Sequence, residues 1–372
     1  MSPQCTPMYV GIDLHKQSAR VAVLRGWEGD FYDERTLPSD VRKVVRYLKR
    51  LSRHGRVVAC YEASGAGYVL QRAVARAGMR CEVIAPTLVS RKPGERRKTD
   101  KIDARKLARQ LRNGELVPIR VPSEPEERVR EVVRGRECVR REVHRSRQHI
   151  LKLLRRRGVV PPASAWTVAF WAWLRKLQLP GPDQRVLDCY IALLDTKLAL
   201  LADFDEQVDE LSKTPALREP VGRLRCLRGI DTLSAMVIVT ELGDVRRFGS
   251  ARALMAYVGL GVAEYSSGDA SRRYGIAKTG STRCRRILVE AAQHYRHRPA
   301  RSKGLRERQR GQHAAVVAHA WRAQHRLHKR FRHLDDRMPR QKATIAIARE
   351  LVGFVWAILR AEPELLAQPK LR

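Results

Sequence analysis

Apolar and polar positions in the first part of the chain follow a strand spacing and then a helical one. Three apolar or alternating runs predict consecutive strands at residues 9–14, 18–24 and 30–37. Apolar residues every three or four positions between 38 and 55 predict a helix, with Ser39 or Asp40 as its cap. A strand, a helix and a strand are predicted next, at residues 56–61, 67–77 and 81–84. This order of elements is that of the ribonuclease H-like α/β fold.

The rest of the chain has a helical pattern. Two long amphipathic helices are predicted at 127–157 and 183–211, around a connector rich in Pro and Trp. They predict a helical hairpin or coiled-coil arm, which serves either as a spacer or, as we favour, in self-association. A helix, a hairpin at 229–231 and an apolar helix predict a helix-hairpin-helix-like unit. Further helices are predicted at residues 250–260, 285–296, 314–334 and 342–359.

Charge decides which partner to expect. The 372 residues include 74 Lys and Arg against 39 Asp and Glu, a net charge of +35. Such an excess needs a polyanionic partner, and nucleic acid is the default one. A membrane surface is the competing partner, but its binding usually depends on one basic amphipathic segment, whereas arginine here recurs along the whole chain. Nucleic-acid binding is therefore the expectation.

The cysteine pattern and the termini bear on location. Seven cysteines without C-x-x-C spacing predict reduced thiols and neither a disulfide framework nor a zinc site. The N-terminus has no basic region followed by an apolar core, so we expect no secretory signal. The apolar stretch 343–359 is interrupted by charges and predicts a buried helix. We expect a cytoplasmic protein, on the nucleoid when bound to DNA, that does not insert into membranes.

Four acids stand at the ends of predicted elements: Asp13, Glu62, Asp100 and Asp103. Asp100 and Asp103 are three apart at a helix start and share one face. Any one of the four could simply pair with a neighbouring Lys or Arg. Carboxylates repel phosphates unless they hold cations, and shared carboxylates that bind two Mg²⁺ ions activate a phosphodiester. We therefore interpret this acidic tetrad as a Mg²⁺ site.

A second candidate site lies in residues 263–286. Two serines, Ser266 and Ser267, precede Gly268 and a cationic segment punctuated by Gly275 and Gly280. A serine hydroxyl beside guanidinium groups suits attack on a phosphodiester. The alternative is a Ser/Gly turn that only grips phosphates. The candidate nucleic-acid-binding cations are Arg272, Arg273, Lys278, Arg283, Arg285 and Arg286. Four histidines in 314–334 are interpreted as part of a cationic nucleic-acid face: His319, His325, His328 and His333.

Several motifs, in the same order as in a known family, carry a resemblance along nearly the whole chain. The N-terminal ones are G-I-D-L-H-K from Gly11, Y-E-A-S-G from Tyr61 and K-T-D-K-I-D-A from Lys98. The C-terminal ones are R-G-I-D-T-L-S-A, A-Y-V-G-L, S-S-G and G-I-A-K-T-G. The chain resembles the DEDD-type transposases of bacterial insertion sequences related to the Piv/MooV invertases.

The resemblance implies a RuvC-like domain at 1–122, a helical coiled-coil arm at 123–215 and a serine transposase domain at 216–372. It implies DNA recombination guided by a structured bridge RNA that pairs with donor and target DNA. It makes the acidic tetrad the Mg²⁺ site and Ser267 the nucleophile, with Ser266 as the alternative. It also implies a tetramer of two dimers, in which metals and serine come from different subunits.

Two departures from the family pattern and two alternative functions remain. Ser281 stands where relatives often have Asn, and Asp231 stands where they have a hairpin Gly. The negative charge of Asp231 argues against phosphate binding by that hairpin. A RuvC-like junction-resolving nuclease would use the acidic tetrad with water as nucleophile. A non-catalytic RNA-binding protein would use the four acids only to pair with arginines.

Overall fold

The structure is a computed structural model that describes residues 6–63, 65–86, 100–267 and 270–360, without the side chains of 263–274. The chain divides into two compact units, Met1–Pro122 and Ser123–Arg372, called here the N-terminal and C-terminal units. The three-part division expected from the sequence stays a prediction.

The N-terminal unit is built on a five-stranded sheet. Its strands are β1 (Pro7–Leu14), β2 (Ser18–Arg25), β3 (Phe31–Pro38), β4 (Arg56–Glu62) and β5 (Arg80–Ile84). They lie in the order β3-β2-β1-β4-β5. The first three strands pair antiparallel, whereas β1, β4 and β5 run parallel. The predicted succession of strands and helices is confirmed in this part of the chain.

Helices cover both faces of the sheet. Helices α1 (Val41–Leu51) and α2 (Val69–Arg76) pack against one face, and α3 (Asp100–Arg112) packs against the other. Asp40, one of the two caps considered, begins α1, where its carboxylate accepts a hydrogen bond from the Arg42 amide at 2.7 Å. Successive strand residues face opposite sides of the sheet, so every second residue of β1 faces α3.

The C-terminal unit is mostly helical. The helices are α4 (Glu124–Arg156), α5 (Val168–Leu174), α6 (Pro182–Ser212), α7 (Pro215–Arg225), α8 (Thr232–Leu242), α9 (Ala251–Tyr257), α10 (Thr282–Gln293), α11 (Lys303–Gln309), α12 (Ala314–Asp335) and α13 (Arg340–Arg360). Their main core is formed by α7, α8, α9, α10, α12 and α13. The long helices α4 and α6 are those that the sequence predicts, and they pack along each other with a core of their own. That they form a coiled-coil arm stays a prediction.

The sequence predicts a helix-hairpin-helix-like unit around the segment between α7 and α8. The Asp231 carboxylate caps α8 by accepting a hydrogen bond from the Ser234 amide at 2.8 Å. The Arg228 guanidinium donates to the carbonyls of His297 and Arg298. The Asp231 carboxylate therefore already accepts from the Ser234 amide, which a phosphate at this helix start would otherwise bind. The helix-hairpin-helix assignment stays a prediction.

The stretch that the sequence presents as a serine and glycine turn contains a small sheet instead. Strands β6 (Val262–Ser267) and β7 (Ala270–Ile276) pair antiparallel with each other and form a two-stranded sheet. These strands are not predicted from the sequence, because Ser, Gly and Arg are common in loops and only a short apolar alternation is present.

The histidine face predicted on α12 is wrong for one member and needs correction for another. His319 is buried beside Phe354, and desolvation lowers its pKa to about 4. His328 is half-buried, with its Nδ1 3.0 Å from the Tyr295 carbonyl oxygen. Only His325 and His333 are exposed. The spacing on α12 turns His319 toward Phe354 of α13 and His328 toward the backbone of Tyr295. Within the described residues, no helix is long and apolar enough to cross a membrane.

Candidate active site

The carboxyl ends of two neighbouring parallel strands carry the first two acids of the tetrad. Asp13 lies near the end of β1, and Glu62 is the last residue of β4. The register pairs Ile12 with Tyr61, so the next residue of each strand, Asp13 and Glu62, occupies an adjacent position. The Asp13 side chain is only 20% exposed. The sheet topology therefore places these two carboxylates at one edge.

Helix α3 brings the other two acids to β1, and Gly11 allows it to approach. Asp100 and Asp103 lie in the first turn of α3. A Cβ on Gly11 would lie 2.2 Å from the Ala104 carbonyl oxygen and 2.5 Å from the Ala108 amide nitrogen. Any side chain at this position would push against the helix backbone. Glycine is thus required for the close contact between strand and helix.

The charges of the α3 acids act on Asp13. Asp13 faces the same side of β1 as Gly11, which is the side of α3. Burial raises the pKa of the Asp13 carboxyl, His15 lowers it, and the charges of Asp100 and Asp103 raise it, with a net upward shift. Carboxylates that disfavour one another's ionisation in this way are stabilised by a cation.

His15 completes this group, although its sequence pattern predicted no role for it. Its Nε2 lies 3.0 Å from Asp13 Oδ2 and 3.4 Å from Asp100 Oδ1. The negative charge of Asp13 raises the pKa of His15 against the opposing effect of desolvation, and the Asp13 hydrogen bond and Asp100 add to the rise. The sequence feature that could have indicated a role for His15 is its position two residues after Asp13, directly after β1 ends at Leu14.

The donor set fits a divalent cation. Ligand atoms of Asp13, His15 and Asp100 all lie within 4.8 Å of one another. Carboxylate oxygens are the ligands that Mg²⁺ prefers, and an imidazole nitrogen extends the set toward Mn²⁺ and other transition metals. Glu62 and Asp103 stand beside this group on β4 and α3. The residues therefore suit a metal held first by Asp13 and Asp100.

An ion pair with strand β3, at one edge of the sheet, holds α3 in place. The Arg105 guanidinium donates to both carboxylate oxygens of Glu34 on β3, at 2.5 and 2.6 Å. This hydrogen bonding, which outweighs partial burial, lowers the pKa of Glu34. Bidentate pairs of this kind fix orientation as well as distance. Arg105 lies two residues beyond Asp103, so the pair orients the turn that carries the acids.

The two candidate serines lie at the closed end of the β6–β7 hairpin. Ser266 pairs with Ser271, and Ser267 pairs with Ala270. A strand rises about 3.3 Å per residue, which puts Ser267 roughly 16 Å from Val262 at the base of the hairpin. The serines thus belong to the end of a two-stranded ribbon, and they lie in a different compact unit from the acidic tetrad.

The base of this hairpin is locked by two interlocking glycines. A Cβ on Gly280 would lie 1.8 Å from the Tyr257 carbonyl oxygen, and one on Gly259 would lie 2.1 Å from the Thr279 carbonyl oxygen. Both glycines have positive φ, at 69° and 70°. Lys278 is exposed and also has a positive φ of 58°, which is uncommon for a residue with a side chain. The glycines therefore fix the backbone that carries Lys278.

The predicted nucleic-acid-binding cations differ in what they contact. Arg285 donates to the carbonyls of Val258 and Thr279, at 3.0 and 2.7 Å, and so holds the hairpin base. Arg286 forms ion pairs with Glu137 and Glu290. Arg283 is half-buried on α10. Arg272 and Arg273 lie in β7, outside the described side chains. Lys278 is the exposed member of the set among the described side chains.

A buried carboxylate on α8 connects this region to α4. Glu241 accepts hydrogen bonds from Arg134 on α4, at 2.9 Å, and from the Ser281 hydroxyl, also at 2.9 Å. Ser281 in turn caps α10 by accepting from the Cys284 amide. Burial alone would raise the pKa of Glu241, but Arg134 and the Ser281 hydrogen bond outweigh it and lower the pKa. Ser281, one departure from the family pattern, thus fixes the start of α10.

Comparison with known proteins adds the family. Residues 221–306 match a family model described as transposase of the IS116/IS110/IS902 family, and residues 10–157 match a DEDD transposase model of IS110 elements. The chain is 37% identical over 360 residues to the putative transposase y4qE of Sinorhizobium fredii, covering 95% of this chain and 88% of that protein. This chain is an IS110/IS116-family transposase.

Further relatives carry the same description. The transposase of insertion sequence element IS1533 from Leptospira borgpetersenii is 32% identical over 338 residues, which are 89% of this chain and 97% of that protein. The transposase of IS1328 from Yersinia enterocolitica is 28% identical over 65% of this chain and 71% of its own. The resemblance based on the motifs is confirmed, and the transposase acts on DNA.

Membership in the family has two structural consequences. The DEDD model covers all four acids, and a DEDD transposase domain is RuvC-like and indicates a divalent metal ion. The IS116/IS110/IS902 model covers both candidate serines. As a transposase, the protein is an enzyme that cuts and rejoins DNA.

Proposed function

We propose that this transposase cuts and rejoins DNA through a serine nucleophile and a Mg²⁺ site, under the guidance of a structured RNA. The nucleophile is Ser267, with Ser266 as the alternative. The metal ligands come from the acidic tetrad of Asp13, Glu62, Asp100 and Asp103. The observation that carries the proposal is the convergence of carboxylates at one sheet edge of a chain with net charge +35.

That convergence is costly for a protein that must bind phosphates. Asp13 and Asp100 lie within reach of one cation, and the charges on α3 oppose ionisation of Asp13. A cation would remove this repulsion and turn the edge from phosphate-repelling to phosphate-binding. When bound, Mg²⁺ supplies a Lewis acid that stabilises negative charge on phosphoryl oxygens. The chain's own contribution is to hold the carboxylates at a fixed spacing through Gly11 and Arg105.

The covalent step balances without an external energy source. The serine Oγ bonds to phosphorus, the bond from phosphorus to the 3′ oxygen breaks, and the 3′ oxygen gains a proton as the serine hydroxyl loses one. The product is a 5′-phosphoserine link and a free 3′ hydroxyl. Attack by a 3′ hydroxyl of the exchanged strand reverses the step and releases the serine. The number of phosphodiester bonds is conserved, so ATP is not required.

Positive charge around the hairpin supports strand binding. We assign phosphate contacts to Lys278, Arg272 and Arg273, whereas Arg285 and Arg286 hold the fold through the carbonyls and carboxylates described above. Arg283 joins the contacts through its guanidinium on α10. Guide RNA would provide base pairing with donor and target DNA, while the protein recognises phosphates and A-form shape. The high net charge supports such a partner.

Self-association is part of the proposal, because it would let the two candidate sites act on one substrate. The tetrad and the serines belong to different compact units, and we propose that a tetramer of two dimers joins metals of one subunit to the serine of another. In this proposal the RuvC-like domain spans 1–122, a coiled-coil arm spans 123–215 and the serine transposase domain spans 216–372.

The test is a covalent adduct. Protein would be incubated with the RNA encoded beside its own element, labelled donor and target DNA, and Mg²⁺, then denatured in SDS. We expect labelled DNA to migrate with the protein, and Ser267→Ala and Asp13→Ala each to abolish this adduct. Ser266→Ala is the matched control, because it removes the neighbouring hydroxyl.

Other outcomes identify the alternatives. Cleavage without any adduct, surviving both serine substitutions, would contradict the proposal and identify a metal-dependent junction-resolving nuclease. Intact DNA with retained RNA binding would identify a non-catalytic RNA-binding protein. If Ser266→Ala abolishes the adduct and Ser267→Ala does not, Ser266 is the nucleophile. If the adduct still forms when the RNA is omitted, guidance by RNA is contradicted.

A further inference from the structure

Helix α6 has two apolar stripes: one is buried and the other is exposed to solvent. Leu187, Leu194 and Val208 are buried in the contact with α4 and the core. A second stripe, one residue earlier in each heptad, faces solvent: Val186 is 39% exposed, Leu193 is 52% exposed and Leu200 is 48% exposed. These three are spaced by seven residues, the repeat of helix–helix seams. Consecutive residues are about 100° apart around a helix, so the two stripes are distinct faces.

Smaller residues fill the intervening positions of the exposed stripe. Cys189 and Thr196 lie three residues after Val186 and Leu193 and are not buried. The outer stripe, defined as Val186, Cys189, Leu193, Thr196 and Leu200, therefore has the a and d spacing of a coiled-coil seam. The helix α4 differs in this respect, since its solvent-facing positions over the same length are mainly basic: Arg141, Arg145, Lys152, Arg155 and Arg156.

Charges at the two ends of the outer stripe indicate which partner binds it. Arg185 lies one residue before the stripe and Glu206 six residues after it, both exposed and at the same flanking heptad position. Among the described residues neither forms an ion pair. Acidic residues continue beyond that end, with Asp203 and Glu210 exposed. A stripe flanked by an exposed cation at one end and by an exposed anion at the same heptad position of the other end is complementary to an inverted copy of itself.

We propose that the outer stripe of α6 pairs antiparallel with the same stripe of a second copy of this chain, about a two-fold axis near residues 194 and 195. Arg185 of each copy then faces the partner's Glu206, and Leu200 faces the partner's Cys189. Two α4–α6 hairpins joined in this way form a four-helix arrangement. The inference rests on the self-association in the proposed function and identifies the surface that provides it.

Disrupting the apolar stripe is the first test. The molar mass of the full chain without nucleic acid would be measured by light scattering and sedimentation velocity over a range of concentrations. We expect Leu193→Glu with Leu200→Glu to raise the dissociation constant of the dimer at least a hundredfold. The matched control is Val168→Glu, which charges a residue that is 88% exposed on α5, off the stripe. It leaves the dissociation constant within about threefold of wild type.

Charge reversal tests the direction of pairing. Arg185→Glu alone and Glu206→Arg alone each place like charges together and raise the dissociation constant at least tenfold. The double variant restores attraction and returns the constant to within about threefold of wild type. A parallel pairing would leave each residue facing its own counterpart, so the double variant would not be rescued.

Thiol cross-linking gives an independent readout. Oxidation of Leu200→Cys should link residue 200 of one copy to Cys189 of the partner, identified by mass spectrometry of the joined peptides. A link between two Cys189 residues would overturn the antiparallel arrangement. A dimer that survives both stripe substitutions would overturn the inference while leaving self-association in place. A wild-type chain that stays monomeric at all concentrations would overturn both.

Discussion

Replacing Gly11 by alanine is the sharpest test of how the metal site is built. The new Cβ would lie 2.2 Å from the Ala104 carbonyl oxygen and 2.5 Å from the Ala108 amide nitrogen. Both are backbone atoms in the middle of α3, so no side chain can rotate away to make room. Ordinary contact requires the helix to move away from β1 by about 1 Å. The movement loosens the helix that carries Asp100 and Asp103.

The magnitude follows from the packing of this unit. Overpacking a tight core costs about 1–3 kcal/mol, and the backbone contact here places Gly11→Ala at about 2 kcal/mol or more. For a unit of this size that loss corresponds to a fall in the melting temperature of about 8 °C. A displacement of about 1 Å in a catalytic group can lower the rate about a hundredfold. Strand transfer should therefore fall far more than the folded fraction does.

The assay compares Gly11→Ala with Gly29→Ala. A Cβ added at Gly29 would have no other atom within 4 Å, so alanine there should be tolerated. Thermal melting and hydrogen exchange of the β1 and α3 peptides report stability, and calorimetric binding of Mn²⁺ or Mg²⁺ reports the site. If Gly11→Ala melts within about 2 °C of the control, a small fraction of the expected shift, and binds metal equally well, the contact between α3 and β1 does not build the site.

Three further outcomes are expected in the C-terminal unit. Gly280→Ala should lower the free energy of unfolding by about 3 kcal/mol, because it adds backbone strain to a steric clash, whereas the open position in Gly275→Ala should change it little. Chemical denaturation measures the free energy of unfolding of both variants. Equal effects would contradict the role of Gly280 in the close backbone contact with Tyr257. Glu241→Gln should destabilise by about 2 kcal/mol at pH 7, since Arg134 loses its carboxylate. The pKa of Glu241 is lowered in the fold, so its contribution is present above the unfolded pKa and is lost as pH falls. The difference in the free energy of unfolding between Glu241→Gln and wild type should therefore become smaller below about pH 4.5. His319 has its pKa lowered to about 4, so the unfolded chain takes up its proton first and stability falls between about pH 6.5 and 4. His319→Leu should remove on the order of 2 kcal/mol of this loss at pH 5, and an unchanged pH dependence would contradict the burial.

The N-terminal unit was largely predictable because its signals are local. Strand and helix spacings located β1 to β5, and the positions of Asp13 and Glu62 at strand ends suggested a shared edge. The contact of α3 with β1 could not be predicted in the same way. It depends on Gly11, whose role appears only when Ala104 is placed beside it.

The C-terminal unit shows where sequence patterns fail. The β6–β7 hairpin is rich in residues that occur in loops, and its pairing is visible only in the register of Ser266 with Ser271. The charge of Arg285 predicts a phosphate contact, and charge alone does not predict that its guanidinium donates to two backbone carbonyls. His319 looked like part of a cationic face, yet it is buried. The Val258 carbonyl that Arg285 contacts and the Phe354 ring beside His319 lie far along the chain, which periodicity does not report.

The spacing of the acids along the chain has a consequence for synthesis. A chain emerging from the ribosome folds from its N-terminus, and it presents Asp13 and then Glu62 long before Asp100. The proposed metal site is complete only after α3 has emerged and docked on β1 against Gly11. Chains that end before α3 therefore hold at most half of the acids, and the ability to break DNA is withheld until the whole N-terminal unit exists.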